Sequence, residues 1–101
     1  MGDMAIRYKN EFDKTVLMIS NVKKLGFDTS EYDKMLNNIS EKVSNDIDSS
    51  YLSGKLVQGR MEQIYTTGML ELSKLELSLK RYSVYFEVFN ICKYLDTNIG
   101  N

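Results

Sequence analysis

Apolar residues recur every three or four positions through the first half of the chain, which is the spacing of one face of an α-helix. The first such row predicts a helix over residues 3–25, with an inward face formed by Tyr8, Phe12, Val16, Ile19 and Val22. Gly26 follows this row and suits the left-handed residue that ends a helix. A second row predicts a helix that ends near Ile47, with an inward face formed by Tyr32, Leu36, Ile39 and Val43.

The residues between these two helices form a helix-start pattern. Asp28 is a favourable N-cap, and Glu31 three residues later completes a capping box. Phe27 and Tyr32 stand at the two positions of a hydrophobic staple. We therefore expect a tight helical hairpin in which the first two helices are antiparallel neighbours. The polar stretch over residues 44–53 then predicts the main internal loop.

The third segment carries the longest apolar row, with the alternating steps of four and three residues that are typical of a heptad seam. Its members are Met61, Tyr65, Gly68, Leu72, Leu75, Leu79, Tyr82, Phe86 and Phe89. The row predicts one helix over about residues 54–96, roughly 65 Å long at about 1.5 Å per residue. Two alternatives stay open. A break near Gly68 would give a four-helix bundle, and residues 82–95, rich in strand-forming side chains, could form a β-strand.

A second apolar row lies on the other side of the third segment. It consists of Leu70, Leu77, Val84, Val88, Ile91 and Leu95. A helix that faces a single core carries one apolar stripe, so the C-terminal half needs covering on two sides. A first helix of roughly 35 Å leaves about half of the third helix protruding. The sequence therefore predicts a protein interface, in which we include Tyr85 with the six residues of the row. The simplest occupant is a second copy in a two-fold antiparallel dimer.

Composition mainly excludes classes of protein. The chain has 101 residues, of which 43% are hydrophobic and 27% charged, and a net charge of −1, as in ordinary globular proteins. No apolar run approaches the ~20 residues of a membrane-spanning helix, and residues 1–4 lack the features of a secretory signal. The single cysteine excludes an internal disulfide, and we expect a cytoplasmic protein. Usage rich in lysine and asparagine, without proline or tryptophan, resembles that of AT-rich bacterial or phage genomes.

Two short motifs resemble ligand-binding loops but lack their key residues. Residues 54–61 have the glycine spacing of a phosphate-binding loop, but Arg60 stands where the loop needs lysine. Residues 46–57 begin like a calcium loop, but its glycine and glutamate positions hold Tyr51 and Val57. The simpler interpretation is that a serine or aspartate of this stretch caps the third helix.

Catalysis and nucleic-acid binding have little support in the residues. Histidine is absent, which removes the commonest general base, and no carboxylate stands on a predicted apolar face that would raise its pKa. Cys92 lies among apolar residues, and we expect it to be a buried hydrophobe. Tyr82 beside the basic Lys80 and Arg81 is the best candidate for stacking a nucleic-acid base, but acidic residues are interleaved with the basic ones along this segment. We therefore expect no enzyme, no nucleic acid, no cofactor, no metal ion and no small-molecule substrate.

Together these patterns predict an all-α fold in a single helical-bundle domain over residues 1–101. The antiparallel hairpin packs on the long third helix as a three-helix bundle. The predicted function is a non-catalytic protein–protein interaction module that self-associates through its C-terminal helix. Two alternatives remain, a small single-target binder such as an immunity protein or phage-encoded inhibitor, and a nucleic-acid-associated regulator. A wide exposed apolar patch would favour protein binding, whereas a compact basic face would favour nucleic acid.

Overall fold

The computed structural model describes residues 2–99, and the side chains as far as residue 96. It contains four α-helices, α1 (Asp3–Lys24), α2 (Ser30–Leu52), α3 (Gln58–Leu79) and α4 (Ser83–Ile99). A single 3₁₀ turn, Lys80–Tyr82, joins α3 directly to α4, so the prediction of one uninterrupted helix over residues 54–96 is wrong at this turn. The predicted all-α fold is confirmed. The β-strand alternative over residues 82–95 is wrong, since α4 occupies that stretch and residues 2–99 contain no strand.

The turn after α1 follows the predicted glycine signal. Gly26 has a φ of 96°, and its N–H donates to the Lys23 carbonyl oxygen at 2.9 Å. Lys23 and Lys24 occupy the last turn of α1, where positive charge is favourable against the helix dipole. Gly26 is therefore confirmed as the left-handed residue that follows the helix. The helix itself ends at Lys24, one residue earlier than expected.

The start of α2 differs from the predicted capping box by one residue. Thr29 is the N-cap, so Glu31 is the second helical residue and does not complete the box. Asp28 still serves the helix start, because its Oδ1 accepts hydrogen bonds from the Ser30 N–H at 2.9 Å and the Ser30 hydroxyl at 2.6 Å. These bonds lower the pKa of Asp28. The ring of Phe27 packs on Tyr82, not in the predicted staple.

The predicted loop over residues 44–53 is wrong, because α2 continues to Leu52. Gly54 ends the helix with a φ of 73°. Its N–H donates to the Tyr51 carbonyl at 3.1 Å, and the Lys55 N–H donates to the Ser50 carbonyl at 2.8 Å. This pair of bonds is a Schellman motif, which satisfies the last carbonyls of the helix. The third helix consequently begins at Gln58 rather than at residue 54, and no side chain caps it.

Helix α3 is continuous through Gly68, so the four-helix alternative is wrong and the arrangement is a three-helix bundle. Both α1 and α2 pack along α3 and touch one another only sparsely. The first two helices, which were predicted to be neighbours, therefore contact α3 more than they contact each other. Gly68 is buried where Tyr8 of α1 and Val43 of α2 approach the α3 backbone.

The core confirms most of the predicted seam of the third segment. Its buried members are Gly68, Leu72, Leu75, Leu79 and Tyr82, and Met61, Tyr65 and Phe86 are half-buried. Three positions differ from the prediction. On α1, Val16 is 43% exposed and Thr15 is fully buried in its place, and on α3, Ile64 is buried beside the predicted row. Phe89, the last member of the predicted seam, is exposed because α1 and α2 do not extend along α4 as far as this residue.

Candidate interaction surface on α4

The junction between the bundle and α4 is fixed by an aromatic cluster of Phe27, Tyr32, Tyr82 and Tyr85. The ring of Phe27 lies 4.9 Å, centroid to centroid, from the rings of both Tyr82 and Tyr85. Tyr32 meets Tyr82 edge-on at 6.1 Å. Because the cluster joins the turn before α2 to the 3₁₀ turn and to the first turn of α4, it sets the direction in which α4 leaves the bundle.

Arg81 is held against this aromatic cluster. Its Nη2 donates to the Tyr82 hydroxyl at 2.8 Å, and the guanidinium lies 4.9 Å from the Tyr82 ring centroid and 5.8 Å from that of Tyr32. The hydrogen bond from Arg81 is the largest cause of a lowered Tyr82 pKa. The guanidinium covers ring faces on which a nucleic-acid base would otherwise stack. The predicted base-stacking candidate is thus engaged within the protein.

Beyond Phe86, α4 projects past the ends of α1 and α2. Phe86 is half-buried near Met18 and Val22 of α1, and every side chain from residue 87 to residue 96 is exposed. The bundle and α4 together form a rod whose extents are 65 × 25 × 17 Å. The predicted protrusion of the third segment is confirmed.

The residues predicted as an interface are all exposed in the single chain. Their exposed fractions run from 43% for Leu95 to 68% for Leu77. The full set is Leu70, Leu77, Val84, Tyr85, Val88, Ile91 and Leu95. We call the six aliphatic members the outer row, because they lie on the side of the third segment away from α1 and α2. Phe89, on the inner side, is also 53% exposed, so α4 presents apolar side chains in two directions.

Cys92 is exposed, which contradicts the expectation of a buried hydrophobe. Its apolar sequence neighbours belong to the uncovered part of α4 and not to the core. The sequence contains no signal that separates these two cases, since an apolar helix face has the same pattern whether its own chain or another chain covers it.

Sequence reasoning missed one polar cluster, between α1 and α3. The Glu76 side chain is only 13% exposed, its Oε1 accepts a hydrogen bond from the Thr15 hydroxyl at 3.1 Å, and its Oε2 lies 3.8 Å from Lys14 Nζ. Burial, the largest cause, and a hydrogen bond with Glu11 raise the pKa of Glu76. The expectation that no carboxylate is so placed is therefore wrong. A buried threonine that contacts a carboxylate is consistent with a structural role in helix packing.

The ligand-loop resemblances do not form sites. The calcium-like stretch begins within α2, where helical backbone cannot wrap an ion, and the phosphate-loop-like stretch lies across the turn before α3. Among the described side chains, no three histidine, cysteine, aspartate or glutamate residues come together as a metal site requires. None of the described helices is long and apolar enough to cross a membrane. The exposed apolar surface of α4 is the strongest candidate for a functional surface among the described residues.

No family model, curated protein or solved structure matches this chain. We accordingly infer function from the α4 surface and from the bundle that carries it.

Proposed function

We propose that the protein is a non-catalytic helical interaction module of the cytoplasm that self-associates through α4. The observation that supports this proposal is the exposure of every side chain in residues 87–96, with Val88, Ile91 and Leu95 on one side and Phe89 on the other. Soluble monomers rarely keep a large contiguous apolar patch in water. Aromatic and aliphatic side chains are typical of the buried centre of an interface, and charged residues are typical of its rim.

The size of the surface makes its coverage energetically significant. On α4, the outer row and Tyr85 together expose roughly several hundred Å² on each chain, which is at the upper end of what monomers show. Covering this area on two chains at about 25 cal/mol per Å² gives on the order of 10 kcal/mol before the costs of association.

The direct test replaces one outer-row residue with a charge. Val88→Glu would bury an unpaired carboxylate at the interface, which costs about 3–5 kcal/mol and weakens the dimer by roughly 100-fold or more. Leu52→Glu is the matched control, because Leu52 is 83% exposed at the far end of α2, away from α4. Sedimentation equilibrium at micromolar concentration is expected to show a dimer for the native chain and for Leu52→Glu, and a monomer for Val88→Glu.

A native chain that sediments at 11.7 kDa under these conditions contradicts self-association. Equal dimerisation of Val88→Glu and the native chain contradicts the choice of α4 as the interface. In the first case the same surface favours the single-target binder, since its exposed tyrosines and phenylalanine are the residue types that anchor protein interfaces.

A further inference from the structure

We propose that two copies pair through α4 as a short antiparallel coiled coil, with Val84 packed against Leu95 of the second copy and Val88 against Ile91. The two-fold axis then passes between residues 89 and 90. This inference rests on the proposed self-association and adds the orientation and register of the two helices.

The outer row has a heptad pattern whose composition changes at the 3₁₀ turn. Leu70, Leu77, Val84 and Ile91 recur every seven residues and occupy d positions. The a positions four residues after each of them hold, in order, Lys74, Arg81, Val88 and Leu95. Over α3 and the 3₁₀ turn the seam therefore alternates leucine with a cation, whereas on α4 both positions are aliphatic. An apolar two-helix seam is thus confined to α4.

The 3₁₀ turn reinforces this limit. Residues 80–82 leave the α-helical geometry, so the knobs-into-holes spacing that a coiled coil needs is interrupted there. Arg81 in the same turn is bonded to Tyr82 and stacked on Tyr32, and a helix packed across it would compete for these contacts. The regular part of the seam begins at Ser83.

The register follows from opposing the a positions of one helix to the d positions of the other. With Val84 opposite Leu95 and Val88 opposite Ile91, the two copies form contiguous apolar layers along α4, and Arg81 stays outside them. A shift of one heptad toward α3 instead pairs Leu77 with Leu95 and places Arg81 against Ile91 within the seam. Burying this cation without an acid opposite it is unfavourable.

Charge favours the antiparallel orientation over the parallel one. Lys80 and Arg81 lie at the base of α4, and Asp96 lies near the end of its described side chains. Antiparallel pairing brings Asp96 to the level of Arg81 of the second copy, within about one helical turn. Parallel pairing would instead place like charges side by side and align the two helix dipoles.

The area also suits a second copy. The aliphatic residues of the outer row on α4 are all exposed, as are Tyr85 and Cys92 beside them. Pairing two copies removes about 1,000 Å² from solvent, which is the lower limit for a specific interface. Since α1 and α2 lie on the other side of α3, each bundle stays clear of its partner's α4.

The register is tested with three single-cysteine chains in a Cys92→Ser background, carrying Val84→Cys, Leu95→Cys or Leu77→Cys. A short bis-maleimide is added to each chain alone and to equimolar mixtures, and sedimentation equilibrium on the same samples reports whether they are dimers. We expect crosslinked dimer in the mixture of Val84→Cys with Leu95→Cys, and only background in each sample alone. In the proposed register two copies of residue 95 are about 16 Å apart along the axis.

The other outcomes are distinguishable from one another. Crosslinking of Leu95→Cys with itself would show parallel pairing and overturn the inference. Crosslinking of Leu77→Cys with Leu95→Cys would show the shifted register and also overturn it. Dimers that crosslink in none of the samples would overturn it as well, while leaving self-association intact. Monomers in every sample and in the native chain would contradict the proposed function itself.

Discussion

Glu76 is the residue whose environment departs most from its expected role as a solvated side chain on a helix face. It lies between α1 and α3, where the Thr15 hydroxyl is within hydrogen-bond distance of both Glu76 Oε1 and the Glu11 carbonyl. One hydroxyl proton can serve only one of these acceptors at a time. Burial and the neighbouring Glu11 raise the pKa of Glu76, against the opposing effects of Thr15 and Lys14.

The raised pKa of Glu76 predicts a specific pH dependence of stability. Because the folded-state pKa lies above the usual glutamate value, Glu76 stabilises the fold at low pH and loses this contribution as the pH rises through the raised pKa. Glu76→Gln should therefore remove the loss of unfolding free energy that begins as the pH rises above the usual glutamate pKa of about 4. Urea unfolding across this range measures it, with exposed Glu41→Gln as control. An identical pH profile in Glu76→Gln and the native chain would contradict the assignment.

Gly68 predicts a second effect at the scale of one residue. A Cβ at this position would lie 2.8 Å from both Tyr8 Cε2 and Val43 Cγ2. Replacing glycine by alanine in a helix stabilises a fold by about 1 kcal/mol through helix propensity, but overpacking costs about 1–3 kcal/mol. Gly68→Ala should therefore lower the free energy of unfolding by about 1 kcal/mol. Gly59→Ala is the control, since a Cβ there meets no atom within 4 Å, and it should be neutral or stabilising. A Gly68→Ala chain as stable as the native chain in urea would contradict this close packing.

Residue-scale predictions from the sequence succeeded where apolar periodicity was sufficient. The heptad seam identified Leu72, Leu75 and Leu79 because a helix buried along one line repeats every three or four residues. Thr15 was missed because an apolar pattern omits a polar side chain whose hydroxyl is satisfied within the core. Ile64 was missed because α3 contacts two helices, so its buried arc is wider than one row.

At the scale of elements, the sequence predicted which helices form better than where they end. Asp28, Thr29 and Ser30 are three consecutive capping residues, so the N-cap of α2 could not be chosen among them from residue type alone. The serine-rich end of α2 has weak helix propensity but remains helical. Ser50 is buried and accepts a hydrogen bond from Arg60 Nε at 3.3 Å, a long-range contact that no local pattern contains.

Helix α4 differs from the other three helices in what stabilises it. Its first turn is anchored by the aromatic cluster and by Phe86, whereas residues 87–96 lack burial against the described parts of α1 and α2. Most helical stability in proteins comes from packing an apolar face, and short helices without such packing are marginal in water. A single chain therefore carries a stable bundle and a C-terminal helix that gains stability when it is covered.

At the scale of the whole molecule, the two apolar rows and the unequal helix lengths together predicted a rod with a protruding end, and the 65 Å extent agrees with it. The candidate surface could be predicted because its residues follow helical spacing on the side away from the seam. What covers the surface could not be predicted, since an apolar helix face has the same spacing whether its own chain or another chain covers it. Cys92 shows the same limit, because its sequence neighbours are apolar although its side chain is exposed.

The measurement that tests the central claim most directly is amide hydrogen exchange as a function of protein concentration. If a second copy covers α4, protection of the amides of residues 87–96 should rise as the native chain is concentrated through the dimer dissociation constant. Amides of residues 72–79, which lie in the bundle, should keep the same protection throughout and serve as the internal control. Protection of residues 87–96 that stays low and unchanged across the concentration series would contradict self-association through α4.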